Sequence, residues 1–272
     1  MNPEKTLKVK DWIENLQKRG IITFSRKEVT NTFPLQSEIS LRNSLNRLVN
    51  KGSIVSVWKG FYVIVPLKYA SRKIVPPEQY MSQLMKYLNR PYYVGLLSAA
   101  AFHGAAHQQP QDFFVITESP ALRNTNKKGT RVLFLNKKRI INSLTVSLKT
   151  ETGYVQVSST ELTAADLITY QKETGGLSRV STILNELAES LNFDNLNKDY
   201  FENVPISTIQ RMGYILEVIL EQNDIADKLL AKAKEFGCVF QKIPLKIGNE
   251  TDTFETNSKW KININEQIEI DD

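Results

Sequence analysis

Along the first third of the chain, apolar positions recur with a helical period and then switch to a period of two. From Thr6, "TLKVKDWIENLQKRG" sets Val9, Trp12, Ile13 and Leu16 on one helical face, with Thr6 as expected N-cap and Gly20 as stop. "IITF" reads as a short extended piece. "SRKEVTNTF" then opens with Ser25 and has Glu28 three residues on, a capping-box spacing, and Pro34 ends it. A third helix is predicted from about Gln36 to Asn50, closed by Gly52. On a helical wheel Leu41, Leu45 and Leu48 gather on one side with Val49 at the border. After Gly52, "SIVSVWKGFYVIV" places two β-rich runs around Trp58-Lys59-Gly60, a hairpin signal. Three helices and then a hairpin is the element order of a winged helix-turn-helix.

The polar side of the third helix has an unusual composition. It holds Gln36, Ser40, Asn43, Asn46, Arg47 and Asn50, with Arg42 on the flank; Glu38 falls toward the apolar edge. A solvated face ordinarily mixes lysine with glutamate. Amides and arginines are the side chains that bond base edges bidentately in a major groove. The expected nucleic-acid-binding set is therefore Gln36, Ser40, Arg42, Asn43, Asn46 and Arg47 on the helix. Lys51, the hairpin tip Lys59, Arg26 and Lys27 are expected on phosphates. Lys18 and Arg19 could add to them.

Beyond residue 66, "PLKYASRKIVPPEQ" reads as a proline-rich, basic linker leading to a helix from about Glu78 to Asn89. An apolar helix around Leu96 to Ala105 and a strand around Phe113 to Thr117 follow. "RVLFLN", "LTVSLK" and "GYVQVS" read as three more strands. "STELTAADLITYQKETGGLSRVSTILNEL" reads as two helices broken at Gly175-Gly176. A helix starting at Pro205, another over "DIADKLLAKAKEFG", and a final strand in "SKWKININEQIEI" complete the pattern. The expected class is α+β: a winged helix-turn-helix over 1–66, a linker and connecting helix over 67–90, and a mixed α/β domain over 91–272.

Charge sharpens this division. Residues 1–90 contain 16 Lys and Arg against 6 Asp and Glu, a balance of +10, whereas residues 91–272 balance at −4. A basic block raises the expectation of nucleic acid or an anionic membrane surface. The longest apolar run, about 92–102, falls short of the roughly 20 residues of a membrane span. The charged start "MNPEKTLKVKDW" is not a secretory signal, and a single cysteine, Cys238, fits the cytoplasm as a buried bystander.

Candidate chemistry is sparse. His103 and His107 stand four apart, but no glutamate or cysteine joins them at a metal-site spacing, so packing or capping is expected. "TGGLSR" lacks the P-loop lysine and reads as an interhelical loop, and Asp166 is expected to be exposed or paired. No nucleophile elbow or two-metal carboxylate pair is present, so neither a catalytic residue, a metal nor a cofactor is expected.

Four stretches carry a resemblance. "SLRNSLNRLVNKGSIVSVWKGFYVI", "YYVGLLSAAAFHGAAHQQPQDFFVIT", "TELTAADLITYQKETGGLSRVSTILNEL" and "TIQRMGYILE" resemble, in order, the AbiEi antitoxins of bacterial type IV toxin–antitoxin (abortive infection) systems. The resemblance implies a non-enzymatic antitoxin and autorepressor. Its winged helix would bind inverted repeats of double-stranded DNA in its own promoter. Its C-terminal domain would counteract a nucleotidyltransferase toxin of the same operon, without a stable complex being required. Two other classes stay open: a ligand-sensing transcription factor with a small-molecule pocket, and an enzyme carried on a DNA-binding head.

Overall fold

The computed structural model describes residues 8–105, 110–127, 129–248 and 255–270. Thr6 and His107 lie outside them. The first helix, α1 (Val9–Lys18), has Lys8 at its N-cap, without a side-chain cap, and buries Val9 and Ile13. β1 (Thr23–Ser25) and α2 (Arg26–Thr32) follow. The capping box forms: Ser25 Oγ accepts from the Glu28 amide at 3.2 Å, and the Ser25 amide donates to Glu28 Oε2 at 2.6 Å. A cap of this kind contributes about 1 kcal/mol. α3 (Glu38–Lys51) starts two residues later than the sequence pattern predicts, because Ser37 caps it by accepting from the Ser40 amide. Gly52, at φ 75°, ends it in the left-handed region that glycine adopts without strain.

β2 (Ile54–Trp58) and β3 (Phe61–Ile64) form the expected hairpin, and β1 adds to it antiparallel in the order β1-β3-β2. Leu41, Leu45 and Leu48 meet Val9, Ile13, Phe24, Val29, Phe33, Ile54 and Ile64 in one core, closed at its side by Trp12 edge-on to Phe24 and Phe33. The core is drawn wholly from residues 9–64, so the apolar periodicity of this stretch is satisfied within it.

The chain continues through α4 (Met81–Tyr87), β4 (Tyr92–Val94), α5 (Leu96–Phe102), β5 (Asp112–Glu118), β6 (Thr125–Lys127), β7 (Thr130–Lys137), β8 (Thr145–Thr150) and β9 (Gly153–Ser158). These strands belong to a six-stranded sheet ordered β6-β7-β5-β4-β9-β8. The predicted helix over 78–89 is shorter than expected, preceded by a 3-10 turn at Pro77–Gln79. Val75, Pro77, Gln79 and Tyr80 are buried, and Thr152 Oγ1 donates to the Gln79 carbonyl.

Helices then dominate: α6 (Thr160–Thr169), α7 (Gln171–Thr174), α8 (Leu177–Ala188), α9 (Lys198–Asn203), α10 (Ile206–Tyr214) and α11 (Asn223–Glu235). The break expected at Gly175-Gly176 is present, with a second at Tyr170. α10 runs on into a π-helical turn at Ile215–Ile219. The predicted last strand shrinks to two residues, β12 (Ile262–Asn263), flanked by β10 (Ile243–Pro244) and β11 (Thr256–Asn257). Contacts group the chain into two compact units. One comprises 1–92, 111–136 and 147–156; the other comprises 93–110, 137–146 and 157–272.

"TIQRMG" has a structural task in the second unit. Gln210 Nε2 donates to the carbonyls of Gln241 and Trp260, both at 2.7 Å. Arg211 Nη2 donates to Pro244 and its Nε to Leu245, both at 2.9 Å. Both side chains are buried, and together they hold the backbone of the C-terminal strands. Gly213 completes the seat, since a Cβ there would come within 2.1 Å of the fully buried Trp260 ring. Gly213→Ala is therefore expected to destabilise the protein by about 3 kcal/mol through overpacking. That exceeds the gain of about 1 kcal/mol from alanine's helix propensity. Urea unfolding checks it; an unchanged or raised midpoint would mean that Trp260 is free to move aside.

Candidate nucleic-acid interface

α3 turns Leu41, Leu45 and Leu48 into the head core, and this fixes what the opposite side presents. Ser40, Arg42, Asn43, Asn46, Arg47, Asn50 and Lys51 are all exposed; Gln36, before the cap, is half-buried. Arg47 Nη2 donates to Ser44 Oγ at 3.3 Å, a weak tether along the helix. The face thus carries amide and guanidinium groups open to solvent.

Two features depart from the sequence expectation. Glu38 does not sit at the apolar edge: its side chain is 79% exposed and its Oε2 accepts from Arg26 Nη2 at 3.0 Å. The first turn of α3 projects past the core, so the wheel angle of Glu38 does not bury it. Arg26, expected on a phosphate, is thereby engaged with a carboxylate, whereas Lys27 is exposed. The hairpin tip is also braced. The Gly60 carbonyl accepts from the Arg26 amide at 2.7 Å, and Tyr87 Oη donates to the Lys59 carbonyl at 3.3 Å. Phe61 packs on the Tyr87 ring at 5.1 Å. Only the Lys59 side chain is left outward, from a turn that extends no further than the end of β1, where Ser25 faces Phe61. Burial pushes the Tyr62 hydroxyl up from its ordinary value, with Arg26 opposing.

The second unit contains a buried ionic cluster that the sequence did not announce. Asp166 on α6 accepts from Tyr93 Oη at 2.6 Å through Oδ2 and from Lys137 Nζ at 3.0 Å through Oδ1. Lys137 Nζ also donates to Tyr93 Oη at 3.2 Å. The Asp166 side chain is 3% exposed and that of Lys137 14%. Of the two expectations for Asp166, the paired one holds. Burial pushes its carboxyl above the ordinary aspartate value, with Lys137 and the Tyr93 hydroxyl pulling the other way. The Tyr93 hydroxyl is raised by burial and by the neighbouring carboxylate. The spacing of 93, 137 and 166 gives no local periodicity, so no sequence signal could have joined them.

The remaining candidates take structural places. His103 caps α5 and its Nε2 donates to the Ser158 carbonyl at 2.7 Å, as packing or capping predicts. Cys238 is half-buried rather than buried, because it follows the exposed end of α11 at Gly237. Among the described residues no cluster of three His, Cys, Asp or Glu could hold a metal ion, and no helix is long and apolar enough to cross a membrane. A surface hollow in the first unit is walled by Val55, Val57, Val63, Ile74, Val75 and Tyr80 beside Lys73, Lys127 and Thr130, where the hairpin packs near β6.

Comparison with known proteins separates fold from family. None of the curated proteins matches the sequence. In fold the chain is similar to the crystal structure of the RV2827C protein from Mycobacterium tuberculosis, with a TM-score of 0.65 over 92% of this chain and 89% of that one, at 14% identity. Residues 93–218 match the family model of the AbiEi antitoxin C-terminal domain, a span that includes Tyr93, Lys137, Asp166 and Gly213. The expected resemblance is met over this span: residues 93–218 carry an AbiEi antitoxin C-terminal domain.

Proposed function

We propose that the chain is a non-enzymatic, cytoplasmic antitoxin that also represses its own operon. In this reading residues 1–66 are a winged helix-turn-helix that binds inverted repeats in double-stranded DNA, joined by residues 67–90 to the antitoxin part at 91–272. The latter counteracts a nucleotidyltransferase toxin encoded beside it, and no stable toxin complex is needed. The observation that carries the DNA-binding half is the outward face of α3, with Arg42, Asn43, Asn46 and Arg47 exposed opposite the buried leucines. The charge balance of +10 over residues 1–90 supports it independently. The family of residues 93–218 supports the antitoxin half.

The test separates base reading from phosphate contact within the full chain. Arg47→Ala is expected to cost roughly 1–3 kcal/mol on the specific site and much less on random duplex. Lys59→Ala should weaken binding to both about equally. Both variants should still rescue growth when co-expressed with the neighbouring toxin, because neither substitution lies within residues 91–272. Equal losses on both duplexes from both variants would show that α3 is not the reading helix. Loss of rescue from Arg47→Ala would merge the two halves into one function.

A further inference from the structure

Two aliphatic side chains interrupt the polar face of the head. Leu35, in the turn before α3, is fully exposed at 100%, and Ile39, in the first helical turn, is 64% exposed. Scattered exposed aliphatics are ordinary. Both lie where α3 begins, and the helical period puts Ile39 on the side away from Leu41, Leu45 and Leu48. Arg42 and Asn43 stand three and four residues after Ile39, so they share its side of the helix. Isoleucine at such a position gains nothing from the head core and exposes apolar surface to water.

The surroundings narrow what could cover it. Amides and guanidinium groups fit nucleic-acid edges, and the acid next to Ile39, Glu38, is paired with Arg26 at 3.0 Å, which reduces its repulsion of a polyanion. Recognition helices of this class meet base edges with their N-terminal residues. In a major groove the C5 methyl of thymine is the apolar group on the base edges. We propose that Ile39, seconded by Leu35, reads thymine methyl groups, with Asn43 one turn later placed to take an adenine beside them. The inference rests on the DNA-binding reading above and adds the base class at the start of α3: A·T pairs, with thymine facing Ile39.

The experiment uses the full chain and a bound duplex selected from a random-sequence library. Each thymine of that duplex is replaced singly by deoxyuridine, which removes one methyl and keeps every hydrogen-bonding group. Wild-type protein is expected to lose about fourfold in affinity for each methyl read. Ile39→Ser should lose nothing further at the thymine that Ile39 reads, and Leu35→Ser should behave likewise at its own. Each variant is compared with itself on two duplexes, so a general loss of folding cancels. Equal deoxyuridine penalties in wild type and Ile39→Ser would overturn the inference while leaving DNA binding intact. So would insensitivity of the wild type to every methyl. If Ile39→Ser instead turned a dimeric free protein into a monomer without any methyl effect, the patch would be a contact between copies. Failure to enrich any duplex would overturn both this inference and the DNA-binding reading.

Discussion

Raising salt from about 50 to 200 mM is expected to weaken binding of each head to its DNA site roughly 250- to 1,000-fold. The estimate follows from a count of exposed cations that are free to reach phosphates. Lys18, Arg19, Lys27, Lys51 and Lys59 are all exposed, whereas Arg26 is held by Glu38. Five neutralised phosphates give a slope of log affinity against log salt near −4.5, since each releases about 0.9 of a condensed counterion. Two heads on an inverted repeat would double the slope per operator. Titration by fluorescence anisotropy at four salt concentrations measures it. A slope near zero would remove the DNA-binding reading whatever the fold, because a basic head that gains nothing from counterion release is not on the phosphate backbone.

Lys137→Met is expected to destabilise the protein by about 3–5 kcal/mol at neutral pH. The lysine is the cation that meets the buried Asp166 carboxylate, at 3.0 Å. Without it, the Tyr93 hydroxyl at 2.6 Å is left as the polar partner shown on that carboxylate. The double variant Lys137→Met with Asp166→Leu should recover most of the loss, because the cost arises from a stranded charge rather than from missing packing. The pH dependence has a definite sign. Burial already raises the Asp166 pKa, so between the unfolded and the folded value the native protein holds a proton that the unfolded chain has released. The carboxyl is therefore least costly below the ordinary aspartate range, and stability falls as pH rises through its raised pKa. Removing Lys137 raises that pKa further. The gap between wild type and Lys137→Met should then narrow as pH falls from neutrality toward the ordinary aspartate range, as the stranded carboxylate takes up a proton. Urea unfolding along that fall measures it, and a gap that stays constant or widens on acidification would show that the cluster is not held by this charge pair.

Features whose partners lie within a few residues were legible from chain order alone. Ser25 and Glu28 sit three apart and cap α2, Gly52 closes α3, and Leu41, Leu45 and Leu48 define a stripe whose burial needs only the helical period. The hairpin turn at Lys59-Gly60 was legible for the same reason. With those elements fixed, the exposure of Arg42, Asn43, Asn46 and Arg47 followed as the opposite face. The exposure of Ile39 follows in the same way, since its wheel position lies across from Leu41. Glu38 was misplaced because a wheel gives direction and not depth, and the first turn of α3 extends beyond the core that would have buried it.

Contacts between distant residues emerge only once the chain is folded. Asp166 reads as an ordinary helical acid until the fold brings Tyr93 and Lys137 to it from 73 and 29 residues away. Gln210, Arg211 and Gly213 read as unremarkable helix positions until the chain returns 30 residues or more later to lay Trp260, Pro244 and Leu245 on them. Local periodicity encodes which side of an element is apolar, through the fixed geometry of the helix and strand. A buried charge or an absent Cβ acquires its meaning only from the group packed against it, and that group is chosen by chain topology rather than by neighbours in sequence.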